Sequence, residues 1–70
     1  MAQQVIVKDP DILGGIAVFV GTRVPFKNLL DYLAHGHTLD EFLDDFPSVT
    51  REAAVAALEQ AGASLLAEVQ

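Results

Sequence analysis

Two histidines, His35 and His37, and four neighbouring carboxylates, Asp40, Glu41, Asp44 and Asp45, are the side chains whose types and spacing invite a chemical reading. Asp31 and His35 stand four residues apart, so one helical face could offer both to a metal ion. No third ligand follows at a matching interval, and His37 lies beyond Gly36. A histidine at the end of a helix is favoured by the helix dipole without any metal. The paired acids do not read as general acid and base, because that work needs surroundings that pull two pKa values apart. These four fall on the polar side of one short helical pattern. Gly14, Gly15 and Gly21 lack the spacing and the lysine of a phosphate-binding loop. There is no cysteine, and neither Ser48 nor Ser64 has a histidine at motif spacing. The expectation is a chain with no catalytic, cofactor-binding or metal-binding residues, and not an enzyme.

The segment Thr38 to Ala61 must hold whatever chemistry remains. Thr38 with Glu41 three residues later is a capping box. Leu39, Phe42, Leu43 and Phe46 then repeat at helical spacing, with Asp40, Asp44 and Asp45 on the opposite side. Pro47 ends this helix. Thr50 caps another, with Val49 placed to staple onto Ala54, and Val55, Leu58, Leu65 and Val69 continue one apolar stripe. Two capped helices across a tight turn form a helix-turn-helix pattern, a topology that often meets DNA but does not by itself assign that role. If the last helix entered a major groove, Arg51 and Gln60 would carry donors suited to guanine and adenine, with Arg23 and Lys27 on phosphates. Charge opposes this. From Thr38 to Ala61 there are six acids and one base, Arg51, whereas a duplex binder replaces counterions with Lys and Arg.

The whole chain of 70 residues carries a net charge of −6. Lys8, Arg23 and Lys27 cancel Asp9, Asp11 and Asp31 in the N-terminal half, so the entire excess lies after residue 37. An acidic C-terminal half suits a basic protein partner, and Asp40, Asp44, Asp45, Glu52 and Glu59 are the candidate contacts. Alanines 53, 54, 57, 61 and 63 leave the last helix smooth enough for close packing.

Upstream, Gln4 to Val7 and Ile16 to Val20 read as short strands, separated by the turn residues Asp9-Pro10-Asp11 and Gly14-Gly15. The second is apolar on both faces and should be covered on both sides. Two short strands alone are marginal, so a sheet shared between two subunits is expected, with an intramolecular hairpin as the alternative. Pro25 suits the first position of a helix carrying Phe26, Leu29, Leu30 and Leu33, and Gly36 is placed to end it. The fold class is mainly α: an arm of short N-terminal strands over residues 1–23, then a tri-helical, homeodomain-like core over 24–70. Its helices are expected near 25–35, 39–46 and 51–68, with Gly62 a point where the last could break. One domain is all that this length allows. Its 51 % hydrophobic content leaves apolar surface over, which again points to a homodimer or a partner complex. No apolar run is long enough to span a membrane and no signal peptide is recognisable, so a cytoplasmic location is expected.

The run Asp9-Pro10, Ile12, Gly14-Gly15, Val18-Phe19, Gly21-Thr22-Arg23-Val24-Pro25 resembles the signature of a family known as domain of unknown function 433, DUF433. A second block agrees: Gly36, Thr38 to Leu43, Asp45-Phe46-Pro47, Val49-Thr50 and Ala56-Ala57-Leu58. The chain departs from the common pattern at Ala17, where proline is usual, and at Gln60, near which an aromatic often stands. The resemblance implies a short β element before a tri-helical core. It also implies a VapB-type, antitoxin-like role beside a PIN-like ribonuclease, neutralised by protein contact, with autoregulation at DNA. The alternatives are a helix-turn-helix DNA-binding regulator and a structural dimer with no nucleic-acid role.

Overall fold

The computed structural model describes residues 4–68. Two strands, β1 (Ile6–Lys8) and β2 (Ala17–Phe19), precede three helices, α1 (Phe26–Ala34), α2 (Leu39–Asp45) and α3 (Arg51–Glu68), and a single 3-10 turn spans Leu13–Gly15. The chain is mainly helical, as expected. The strands pair antiparallel within the one chain, Ile6 opposite Phe19, Val7 opposite Val18 and Lys8 opposite Ala17. The Val20 amide also donates to the Val5 carbonyl at 2.9 Å. The connection between strands is tied by Asp9, whose carboxylate accepts the Asp11 amide at 2.9 Å and whose carbonyl accepts that of Ile12.

β2 is covered on both faces where it matters. Val18 and Phe19 point to opposite sides and both are buried, while the flanking Ile16 and Val20 are exposed. Pro25 departs from the expected position: it stands one residue before α1 in an extended conformation and bridges to Val18. The Phe19 amide donates to the Val24 carbonyl at 3.0 Å, so residues 24–25 run beside β2 before the helix begins. Thr22 closes the turn by donating its hydroxyl to the Phe19 carbonyl.

α1 stops in a Schellman arrangement. The His37 amide reaches the Tyr32 carbonyl at 2.9 Å and the Gly36 amide reaches Leu33 at 3.3 Å, with Gly36 at φ +86°. α2 starts at the expected capping box: Thr38 Oγ1 accepts the Glu41 amide at 3.1 Å, and Glu41 Oε1 accepts the Thr38 amide at 3.0 Å. Thr50 caps α3 through the Ala53 amide.

The core gathers Phe19, Leu29, Phe42, Val49, Ala54 and Ala57. Phe42 lies at its centre, its ring 4.9 Å from Phe46, 5.4 Å from Tyr32 and 6.2 Å from Phe19. Full burial of such a side chain contributes about 1.5–3 kcal/mol. The face that α3 turns inward is made of alanines, with Leu58 and Ala61 half-buried beside them. This corrects the apolar stripe read from the larger residues: Val55 and Leu65 are exposed, and Val69 lies outside the described residues. The bulky Phe19, Leu29 and Phe42 already fill the centre, so only small side chains let α3 approach. α3 also runs through Gly62 without a break.

Candidate functional site

The acidic half of the chain sorts into carboxylates that hold the fold together and carboxylates that do not. Asp40 on α2 forms an ion pair with Arg51 at the start of α3, bracing the two helices across the turn. Asp45, at the end of α2, accepts a 2.6 Å hydrogen bond from the Tyr32 hydroxyl of α1. That bond, with desolvation and the nearby charges of Asp45 and Glu41 behind it, raises the Tyr32 phenol above its usual 10.0. Glu41 is taken up by the capping box and by His37, whose Nδ1 donates to Oε2 at 3.2 Å. The Thr38 amide first, and then His37, hold the Glu41 carboxyl below its usual 4.5.

Asp44, Glu52, Glu59 and Glu68 remain exposed, with no polar partner among the described residues. Glu52 and Glu59 are seven residues apart, so they share one face of α3 about 10 Å from each other along its axis. The only base after residue 37 is Arg51, and it pairs with Asp40 at the exposed surface. The candidate partner contacts therefore divide: Asp40 and Asp45 serve internal bonds, while Asp44, Glu52 and Glu59 face solvent.

The candidate DNA contacts do not assemble. Arg51 and Gln60 are nine residues apart on one continuous helix, which places them on opposite sides of α3 at about 100° per residue. Gln60 instead borders a shallow pocket between β1 and α3 with Val5, Thr50, Glu52, Ala53 and Ala56. Arg23 is exposed in the loop before α1 and Lys27 is exposed on α1. Neither helps to build a basic stripe along the last helix.

The Asp31–His35 pair is spent differently from a ligand pair. His35 Nδ1 donates to the Asp31 backbone carbonyl at 2.7 Å, not to its carboxylate. Among the described residues no group of three His, Asp or Glu side chains could hold a metal ion. No helix among them is long and apolar enough to cross a membrane.

Sequence reasoning did not anticipate three contacts: Tyr32–Asp45, His37–Glu41 and Asp40–Arg51. The second had a local signal in its four-residue spacing. The other two span 13 and 11 residues and depend on how the helices dock. It also did not foresee that α3 projects beyond the core, leaving Leu65 and Leu66 more than half exposed.

A family model described as "Protein of unknown function (DUF433)" matches residues 6–61, from β1 to the inward face of α3. The chain belongs to the DUF433 family. It is similar to a solved DUF433 member from Anabaena variabilis ATCC 29413, with a TM-score of 0.72 and 31 % identity, covering 96 % of this chain and 69 % of that one. It is also 39 % identical over 51 residues to the uncharacterised protein y4eO of Sinorhizobium fredii (strain NBRC 101917 / NGR234). That match takes in 73 % of this chain but only 23 % of the length of this curated relative. The matched span takes in residues that make turns, caps and core: Gly36, the capping box at Thr38, and Val49-Thr50 at the start of α3.

Proposed function

We propose that this DUF433 chain is a non-enzymatic, antitoxin-like binding protein that receives a basic partner, of the PIN-like ribonuclease type, on the free carboxylates of its C-terminal half. The observation that carries this reading is the fate of Arg51. Its pairing with Asp40 leaves Asp44, Glu52 and Glu59 uncompensated on a rigid helical frame. Fixed acidic groups on a rigid scaffold steer a basic partner and set its orientation. The ribonuclease class comes from the family resemblance. A helix-turn-helix regulator fits less well, since the two base-reading candidates lie on opposite sides of α3 and the surface around them is acidic. A catalytic role has no support in the arrangement of the polar side chains.

The test is co-expression with the product of the adjacent gene, followed by co-purification, light scattering and a ribonuclease assay. A stoichiometric complex with suppressed RNA cleavage is expected. The double change Glu52→Lys and Glu59→Lys should weaken that complex at least tenfold and steepen the loss at low salt, because exposed charges act most strongly there. A complex indifferent to both changes, or no complex at all, would refute the reading.

A further inference from the structure

Of the three bases that remain without an ion pair among the described residues, Lys8, Arg23 and Lys27, one lines an apolar groove and one pairs across the sheet with a residue of its wall. Ile16, Ala17, Pro25, Phe26, Lys27 and Leu30 line it, and its volume is about 330 Å³. Lys27 is part of the wall. Lys8 is the cross-strand neighbour of Ala17, on the same side of the sheet. Arg23 stands in the loop that leads to Pro25. Within the groove, Ile16 and Leu30 are 45 % and 42 % exposed.

The far end of α3 has the opposite character. Its inward stripe runs Ala54, Ala57, Leu58, Ala61 and then continues to Leu65 past the edge of the core. From Gly62 to Glu68 every residue is exposed, with Leu65 at 60 % and Leu66 at 62 %. Glu59 falls on the same side of the helix as Leu66, seven residues away, and Glu68 flanks the pair. The chain thus carries an apolar groove with Lys27 in its wall, Lys8 beside it and Asp31 next to Leu30 on α1, and an apolar helix end flanked by Glu59 and Glu68. α3 is one continuous helix, so its end does not fold back into the groove of its own chain.

We infer that the groove between β2 and α1 receives the Leu65–Leu66 end of α3 from a second copy of this chain. Charge selects this pairing over the simpler packing of two α3 ends against each other, which would bring Glu59 and Glu68 of both copies together. It also selects it over docking of a basic segment, which Lys8 and Lys27 would repel. Reciprocal exchange between two copies closes the assembly and covers Ile16, Leu30, Leu65 and Leu66 together. Asp44 and Glu52 lie outside this surface, and Glu59 is shared with the proposed partner contacts, so self-association is tested with Glu59 unchanged.

The experiment is light scattering on the full chain over a range of concentrations, with two double variants. Leu65→Lys with Leu66→Lys removes the apolar helix end, and Ile16→Lys with Leu30→Lys closes the groove. All four side chains are exposed in the single chain, and circular dichroism will show that each variant keeps its helices. The wild type is expected at twice the 7.5 kDa chain mass. Each double variant should dissociate at least a hundredfold more readily. A mixture of the two retains one intact helix end and one intact groove and should recover association at an intermediate concentration. A wild type that stays at 7.5 kDa at every concentration would overturn the inference. So would a dimer that survives both variants, which would point to pairing along the outer edge of β1 instead, or a mixture that shows no recovery.

Discussion

Replacing glycine by alanine should have opposite signs at two positions of this chain. At Gly36 the backbone has φ +86°, and a Cβ built there meets nothing within 4 Å. The cost of Gly36→Ala is therefore purely conformational. An L-residue in the left-handed region costs about 1–2 kcal/mol. For a domain of this size each kcal/mol moves the melting temperature by about 4–8 °C, so a fall of roughly 4–16 °C is expected. Gly36→Asn should lie between, since asparagine tolerates this conformation. At Gly62 the backbone is helical and the added Cβ again meets nothing. There alanine removes the entropic cost of a mid-helix glycine, about 0.5–1 kcal/mol, and should raise the melting temperature by roughly 2–8 °C. Thermal melts followed at 222 nm, at a concentration low enough to keep the chain monomeric, give both numbers. A neutral Gly36→Ala would mean that α1 does not end in a left-handed residue. A destabilising Gly62→Ala would mean that α3 is broken there.

Other outcomes follow from the same contacts. Thr38→Ala removes the side-chain half of the capping box and should cost about 1 kcal/mol, read as a lower denaturation midpoint with an unchanged slope. Glu41 titrates below its usual 4.5 in the folded chain, so its contribution is complete above that value and disappears as pH falls through the lowered one. Glu41→Gln should accordingly flatten the acid limb of the stability profile by lowering the neutral-pH plateau toward the acid value. Tyr32 has the reverse sign: its raised value makes the contribution complete below 10.0 and lost as pH climbs past the folded value. Asp45→Asn should bring the phenolate absorbance of Tyr32 in at lower pH. Phe42→Ala empties the centre of the core at a cost of about 3–5 kcal/mol, comparable to the whole stability of a domain this small, and should abolish the cooperative melt.

The helices were legible in the sequence because their ends carry strong local chemistry. Thr38 with Glu41, Thr50, Pro47 and Gly36 each act through bonds or steric limits within four residues, and the observed boundaries fall within one residue of the expected ones. Pro25 was displaced because its backbone answers to Val18, a contact made by β2 and not by α1. The orientation of α3 is not legible from the hydrophobic size of its residues. Ala54 and Ala57 were chosen over Val55 and Leu65 by the rings already in the core, and that information lies in α1, α2 and β2. The candidate surface was only partly visible. Acid excess can be counted, but which acids are free depends on Tyr32 finding Asp45 and Arg51 finding Asp40.

The continuity of α3 has a consequence for how the molecule breathes. Its first half is anchored by Ala54 and Ala57, whereas the residues of its last two turns are exposed. Amide exchange should therefore be graded along a single helix, slow near Ala57 and fast beyond Gly62. Because helix formation is cooperative, anything that holds the outer turns also lengthens the helix that the core must open in order to unfold. Exchange rates near Ala57 would then slow when the distant end is occupied. By linkage, the melting temperature of the whole chain becomes a readout of what is bound to a segment that touches none of its core.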